Sequence, residues 1–274
     1  MNPPPTDNAT GPRLVCAHLH LRRGGRDVVQ DVNFTLAGDE CASLVGPNGS
    51  GKTSLLLALL GLLPPTSGTV RLDGVDVGRL APRARARYAA YVPQSLERVP
   101  AFRVAEVVAG GRYAHAGAWR PLAARDHAVI DQALARCGLT SRADQPFDTV
   151  SGGERQKTLL AAALAQDAQM LFLDEPDTAL DPAVQIELVA ILRSWHDTGR
   201  GILLISHDLQ MPAALGGRVI ALRAGRMVAD GPAAEVLTPE RLALVYDAPF
   251  GTATTADGTR VVLPAWWRAA SPRL

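Results

Sequence analysis

The chain has 274 residues, of which 47% are hydrophobic and 20% are charged, with 28 Lys and Arg against 27 Asp and Glu. This composition excludes a largely disordered chain, and the length suffices for one or two domains with a full hydrophobic core. The net charge of +1 argues against a protein that works mainly by binding nucleic acid. The longest apolar stretch, residues 55–63, is far shorter than the roughly 18 residues that a membrane-spanning helix needs.

The N-terminal residues and the cysteines favour a reducing compartment. Residues 1–12 are rich in Pro, Asn and Thr, and we expect a disordered leader because no apolar run follows a cationic start. Cys16, Cys41 and Cys137 are widely spaced and form no C-x-x-C pair. They are therefore expected to be small core residues and not a disulfide framework or a zinc site.

The first half of the chain predicts a hairpin, a strand, a glycine-rich loop and helices. In chain order, the predicted elements are strands over 14–21 and 28–34 around a turn at 23–26, a strand over 41–45, a helix over 53–62 and a helical insertion from Ala81 to about Ala165. Pro64 and Pro65 are expected to end the first helix, because proline cannot continue one.

The second half alternates strands and helices. In chain order, it predicts a strand over 170–173, a helix over 182–195, a strand over 201–205, and a hairpin of 219–222 with 226–228 around Gly225. Asp257-Gly258 predicts a last hairpin in the tail. Strands that alternate with helices imply an α/β fold with a mainly parallel sheet covered on both faces.

A phosphate-binding loop is predicted where the strand over 41–45 meets the next helix. The pattern G-x-x-x-x-G-K-[ST] is formed by Gly46, Pro47, Asn48, Gly49, Ser50, Gly51, Lys52 and Thr53. Its glycines let backbone N–H groups converge on phosphate oxygens at a helix N-terminus. We expect Lys52 to reach the β- and γ-phosphates of a nucleotide and the Thr53 hydroxyl to bind Mg²⁺.

Two later strands end in polar residues that suit the same ligand. Asp174 and Glu175 follow one strand, at the edge where open α/β sheets bind ligands. Asp174 is predicted to hold Mg²⁺ through its water shell, and Glu175 to polarise the attacking water. His207 ends the next strand, where its imidazole can hydrogen-bond the γ-phosphate.

A second anion site is predicted at Ser151, Gly152 and Gly153, which precede a helical run and offer a hydroxyl and free N–H groups. One nucleotide needs one such cradle for its phosphates, but this chain has two. The surplus site suggests that a second copy of the chain completes the pocket of the first.

These motifs and their order resemble the ATP-binding-cassette (ABC) transporter ATPases, over residue 14 to about residue 238. Residues 151–156 resemble the signature motif of that family, Gln94 its Q-loop glutamine, residues 179–181 its D-loop, and His207 its switch histidine. The resemblance implies an ATPase that uses ATP and Mg²⁺, with Gln94 near the metal. It also implies a head-to-tail dimer, in which Ser151, Gly152, Gly153 and Asp181 serve the nucleotide that the other copy's loop holds.

The resemblance further implies a division of the chain. The expected fold is a P-loop NTPase of ABC type, with a mainly parallel core sheet, an N-terminal antiparallel β subdomain and a helical subdomain over about 95–165. The ATPase domain is expected over 13–238, followed by a C-terminal tail over 239–274.

Two positions depart from the family pattern. Arg23 stands where an aromatic residue usually stacks on adenine. A guanidinium plane can also stack on a base, and His20 is a less favoured substitute. Asp177-Thr178 stands where Thr-Ser is common after the Glu-Pro pair, a change that leaves hydrolysis expected.

Further segments are similar to those of importers for iron-siderophores, haem and cobalamin. They are residues 102–115, 206–209, 228–232, 235–238 and 261–264. This similarity implies a separate transmembrane permease, indirectly a substrate-binding protein, and a place on the cytoplasmic face of the membrane, with no nucleic acid partner.

The alternatives are another importer, a cassette ATPase acting on ribosomes or DNA, and an ATP-binding module without hydrolysis. The chain has a single cassette and no sustained heptads, which disfavours an ATPase acting on ribosomes or DNA. The presence of Glu175 and His207 disfavours an ATP-binding module without hydrolysis.

Overall fold

The computed structural model describes residues 13–96, 101–116, 121–178 and 180–266. The predicted leader and Ala179 of the D-loop lie outside these residues. Within the described residues, the strands are β1 (Arg13–Arg23), β2 (Arg26–Ala37), β3 (Cys41–Val45), β4 (Ser67–Leu72), β5 (Val75–Asp76), β6 (Ala89–Val92), β7 (Met170–Asp174), β8 (Gly201–Ile205), β9 (Arg218–Arg223), β10 (Arg226–Pro232), β11 (Phe250–Thr254) and β12 (Arg260–Pro264). The helices are α1 (Lys52–Leu59), α2 (Pro82–Tyr88), α3 (Val104–Gly110), α4 (Tyr113–Ala116), α5 (Ala124–Arg136), α6 (Gly152–Ala165), α7 (Pro182–His196), α8 (Gln210–Leu215), α9 (Ala233–Val236) and α10 (Pro239–Tyr246).

The core sheet has the strand order β10-β9-β3-β8-β7-β6. Strands β9, β3, β8, β7 and β6 run parallel, and β10 pairs antiparallel with β9 at one edge. The prediction of a mainly parallel sheet is confirmed. The order also makes β3, β8, β7 and β6 consecutive neighbours, so the loops that follow these four strands leave from one edge of the sheet.

Both faces of this sheet are covered, as the apolar strand sequences require. Successive side chains of a strand point to opposite faces. Leu171 and Leu173 of β7 pack with the apolar residues of α3, α5 and α6. Met170 and Phe172 pack on the other face with α1 and with strands β1 and β2.

A second sheet, wholly antiparallel, has the order β2-β1-β4-β5. The predicted first hairpin forms its β1-β2 half, with Arg23 paired to Arg26 at the turn. Strands β4 and β5 were not predicted from the sequence. Both strands border turn residues and expose several side chains, so neither presents a buried apolar run.

The predicted helical insertion is wrong over part of its length. Residues Ala89–Val92 form strand β6, which pairs in parallel with β7 at the edge of the core sheet. Alanine favours helices, but pairing with a neighbouring strand and burial decide the outcome here. The remainder contains helices α2 to α6, and the C-terminal end of α3 packs closely on α6. A Cβ added at Gly111 would lie 2.1 Å from the Ala162 carbonyl oxygen.

The end of helix α1 also differs from the prediction. The helix stops at Leu59, before the prolines, because Gly61 adopts a left-handed conformation with φ 65°. The Leu62 N–H then donates to the Leu57 carbonyl at 2.8 Å, which closes the helix in the manner of a glycine C-cap. Gly61 therefore ends the helix, and Pro64 and Pro65 lie beyond that end.

The tail after residue 238 packs on the core sheet. Leu242 and Val245 of α10, with Phe250 of β11, are buried against Val45 and Val219 at one end of the core sheet. Strands β11 and β12 pair antiparallel, with Asp257 and Gly258 in the turn between them. Among the residues that the structure describes, no helix combines the length and the apolar character required to cross a bilayer.

Candidate functional site

Four strand ends bring the predicted site residues to one edge of the core sheet. The phosphate-binding loop follows β3, His207 follows β8, Asp174 and Glu175 lie at the end of β7, and Gln94 follows β6. An open cavity of about 440 Å³ lies at this edge. Its wall includes residues 48–54 together with Arg23, Gln94, Glu175 and His207.

The conformation of the phosphate-binding loop requires glycine at two positions. Gly46 has φ 143°, and a Cβ there would lie 2.0 Å from the Leu222 carbonyl oxygen. Gly51 has φ 100°, and a Cβ there would lie 2.2 Å from the Val28 carbonyl oxygen. The loop is therefore wedged between β9 and β2, and it delivers the N-terminus of α1, with its partial positive charge, to the cavity.

Lys52 lies at the start of α1 and its side chain is 5% exposed. Its ammonium donates to the Gly46 carbonyl at 2.8 Å and to the Pro47 carbonyl at 3.1 Å. Burial lowers the pKa of Lys52, and the nearby carboxylates of Glu175 and Asp174 oppose that shift. Lys52 is thus a desolvated cation on the wall of the cavity, a setting that strengthens its attraction for an anion.

Thr53 and Asp174 meet beside the cavity. The Thr53 hydroxyl donates to Asp174 Oδ1 at 3.1 Å. Burial raises the pKa of Asp174, partly offset by this hydrogen bond. The pair offers two oxygen donors of the kind that Mg²⁺ prefers, and Mg²⁺ commonly completes its shell with water and substrate phosphates. Within the described ranges, no cluster of three or more His, Cys, Asp or Glu side chains could hold a metal by itself.

Glu175 is the centre of a polar group on the cavity wall. Its φ of 49° is uncommon for a residue with a side chain, and it turns the chain sharply away from β7. Gln94 Nε2 donates to Glu175 Oε2 at 2.6 Å, and His207 Nε2 contacts Glu175 Oε1. The structure therefore brings Gln94 together with Glu175 and His207, although the sequence placed only Glu175 and His207 at strand ends.

Arg23 and His20 differ in position. Arg23 ends β1 and lines the cavity, whereas His20 pairs with Ser67 inside the antiparallel sheet and is not part of the cavity wall. Of the two candidates for stacking on a base, the structure places Arg23 at the cavity.

The Ser151 turn does not line this cavity. Ser151 and Gly152 are exposed at the start of α6, where the Ser151 hydroxyl accepts the Glu154 N–H at 3.2 Å. In return, the Glu154 carboxylate accepts the Ser151 N–H at 2.9 Å, and the two residues form a capping box. Gly153 is half-buried behind them. Within one chain this turn and the loop at 46–53 are therefore separate sites.

Asp181 is also separate from the cavity. It is exposed and caps α7, with its carboxylate accepting the Val184 N–H at 3.0 Å. Its carboxylate therefore serves as the N-cap of α7 within this chain.

Two contacts at the site were missed by the sequence analysis. The Gly46 N–H donates to the Tyr246 hydroxyl at 3.0 Å, across 200 residues of chain. The Ser206 hydroxyl donates to Asp177 at 2.6 Å, beside His207. No local pattern marks Tyr246, and the departure at Asp177 was the only signal for the second contact.

The fold and the cavity define a P-loop ATPase. A pattern for the ABC transporter family matches residues 29–178. The chain is 40% identical over 247 residues to the hemin import ATP-binding protein HmuV of Streptomyces coelicolor, covering 90% of this chain and 88% of that protein. It is 35% identical over 234 residues to the iron(3+)-hydroxamate import ATP-binding protein FhuC of Bacillus subtilis, covering 85% and 87%.

Solved structures agree with this family. A structure described as an inward-facing, metal-chelate type ABC transporter superposes with a TM-score of 0.81 at 25% identity, over 93% of this chain and 98% of that chain. The chain belongs to the ABC transporter family and is an ATPase of that family. Its nucleotide-binding character and its α/β fold, both expected from the sequence, are confirmed.

Proposed function

We propose that this chain is the ATP-hydrolysing subunit of an importer for a metal chelate, such as haem, an iron-siderophore or cobalamin. The single observation that carries the chemistry is the convergence of Lys52, Glu175 and His207 on one cavity beside a phosphate-binding loop. The choice of cargo class is supported by the similarity to import proteins for hemin and iron-hydroxamate over most of the chain.

In this proposal, residues 46–53 hold the phosphates of ATP through backbone N–H groups and through the Lys52 ammonium. The carbonyl contacts of Lys52 keep its side chain folded over the loop, ready to exchange them for the β- and γ-phosphate oxygens. Arg23 lines the same cavity and stacks on the adenine base.

Glu175 acts as the general base for hydrolysis. Its carboxylate faces the cavity and accepts a proton from the attacking water, while Gln94 and His207 hold it in place from two sides. His207 lines the same cavity and hydrogen-bonds the γ-phosphate. Each residue thus has a role that its position at a strand end makes possible.

Mg²⁺ fits the oxygen donors of Thr53 and Asp174, with Gln94 as a further neighbour. When bound, the ion neutralises charge on the β- and γ-phosphates of ATP. The burial of Asp174 and its bond to Thr53 hold the carboxylate in place for this purpose.

Two copies of the chain work head to tail. Ser151 and Gly152 are exposed and lie outside the cavity of their own chain, although a hydroxyl and helix N–H groups suit an anion. We propose that they, with Gly153, close over the γ-phosphate that the partner's loop holds. We expect Asp181, which caps α7 on the exposed surface, to lie at the same junction.

Closure on ATP and reopening after hydrolysis would move a separate transmembrane permease that a substrate-binding protein supplies. The chain would then reside on the cytoplasmic face of the membrane. Nucleic acid has no part in this scheme, in line with the net charge of +1.

The test is reconstitution of the chain in liposomes with a candidate permease and the binding protein that serves that permease. Haem, a ferric siderophore and cobalamin are compared for uptake and for stimulation of ATP hydrolysis. The proposal predicts that one of them raises both, and that Glu175→Gln abolishes both. Stimulation by ribosomes or DNA without the permease, and by none of the three chelates, would instead favour a non-transport ATPase.

A further inference from the structure

The turn that carries His207 is tied to the segment that carries Glu175 by contacts at three consecutive residues. The Glu175 N–H donates to the Ile205 carbonyl at 2.9 Å. The Ser206 hydroxyl donates to Asp177 Oδ2 at 2.6 Å, and the His207 imidazole contacts Glu175. The central contact of the three is made by two side chains that the family comparison does not assign.

Ser206 uses its hydroxyl in both directions. While donating to Asp177, it accepts the Asp208 N–H at 3.0 Å. The Asp208 carboxylate in turn accepts the Gln210 N–H at 2.8 Å, at the start of α8. The backbone around His207 is therefore fixed by a chain of hydrogen bonds that begins at Asp177.

The placement of Asp177 is costly unless it serves a specific contact. The side chain is 6% exposed and Ser206 is fully buried. Asp177 Oδ1 makes no hydrogen bond within the described residues, so Ser206 is the principal side-chain partner of a buried carboxylate. Burial also raises the pKa of Asp177, partly offset by the Ser206 hydroxyl.

We propose that Asp177 is a positioning residue for His207: through the Ser206 hydroxyl it holds the His207 imidazole against Glu175 at the wall of the nucleotide cavity. This inference rests on the proposed roles of Glu175 and His207. It predicts an effect on the hydrolytic step and not on nucleotide binding, because Asp177 does not line the cavity.

The experiment compares kcat and KM for ATP, and binding of a fluorescent ATP analogue, among variants of the purified full-length chain. Asp177→Ala and Ser206→Ala should each lower kcat about tenfold or more, since small displacements of a catalytic group are that costly. KM and analogue affinity should stay within about twofold, and the double variant should be no slower than either single one.

Asp177→Asn keeps an oxygen that can accept the Ser206 proton and removes the charge. Its kcat should lie within about threefold of that of the unmodified chain. This result would show that Asp177 acts through its hydrogen bond to Ser206 and not through its charge. Asp131→Asn on the exposed face of α5 serves as the matched control and should leave kcat unchanged. Urea unfolding of every variant identifies any loss of folding, and Ser206→Ala, which removes one oxygen atom, provides the test if Asp177→Ala does not fold.

The proposal is overturned if Ser206→Ala retains full kcat, or if Asp177→Asn is as slow as Asp177→Ala. Additive losses in the double variant would overturn it as well. Failure of the proposed function gives a different result. In that case the unmodified chain shows no hydrolysis that Glu175→Gln abolishes, whereas failure of this inference alone leaves that hydrolysis intact.

Discussion

Replacement of Tyr246 by phenylalanine tests whether the C-terminal tail supports the phosphate-binding loop. The variant removes one oxygen atom and keeps the ring, which packs beside Phe250 with 5.7 Å between ring centroids. In the unmodified chain the Tyr246 hydroxyl accepts the Gly46 N–H at 3.0 Å, where the loop begins. Burial raises the pKa of Tyr246, so the hydroxyl remains protonated at neutral pH.

The expected size of the effect follows from the burial of Gly46. Its N–H is buried, so loss of the acceptor leaves a donor without a partner, at a cost of about 1–3 kcal/mol in the free energy of unfolding. Gly46 already packs closely on β9, since a Cβ there would lie 2.0 Å from the Leu222 carbonyl oxygen. If about 1 kcal/mol of that cost appears as displacement of the loop, the affinity for ATP falls roughly fivefold.

The assay is urea unfolding together with titration of a fluorescent ATP analogue. Tyr113→Phe is the matched control, because Tyr113 is 59% exposed on α4 and its hydroxyl has no buried backbone partner among the described residues. Tyr246→Phe should lower both stability and affinity, and the control should change neither. Equal behaviour of the two variants would refute the view that the tail positions the loop.

Three further substitutions test the site and its support. Lys52→Ala should weaken ATP binding by about tenfold or more through loss of a charged hydrogen-bond donor, and unchanged affinity in the same titration would contradict the loop assignment. Arg23→Ala should weaken ATP binding about threefold to tenfold and leave competition by inorganic triphosphate unchanged, whereas equal loss for both ligands would exclude base stacking. Arg112→Ala should lower the urea midpoint more than loss of an exposed ion pair does, because the Arg112 guanidinium donates to Asp126 at 2.8 and 3.0 Å with both side chains buried. The guanidinium holds the pKa of Asp126 below its ordinary 3.8, so the difference between variant and unmodified chain should be full at neutral pH and shrink as the pH falls below that value, leaving the part due to the Arg112 bond to the Ala165 carbonyl.

The parts of the fold that the sequence predicted are those in which one local signal decides the outcome. A glycine-rich loop between an apolar strand and a helix, as at Gly46–Thr53, specifies its own backbone. The buried runs 170–173 of β7 and 201–205 of β8 likewise contain no polar side chain, so the sequence alone predicted their place inside a covered sheet.

Other features depend on contacts between distant segments. Strand β6 has an alanine-rich sequence that favours a helix, and only its pairing with β7 makes it a strand. The contact of Tyr246 with Gly46 joins residues 200 positions apart, and no periodicity encodes it. Asp177 was visible as a departure from the family pattern, but its effect required the position of Ser206 on the neighbouring strand end.

The central claim is that a complete ATP site needs two copies of this chain. The direct measurement is sedimentation velocity of the Glu175→Gln variant with and without ATP and Mg²⁺, combined with hydrogen exchange of residues 151–153. The account predicts that ATP doubles the molecular mass and slows exchange at the Ser151 turn. A variant that binds ATP, keeps the mass of a single chain and exchanges at that turn as fast as without nucleotide would contradict it.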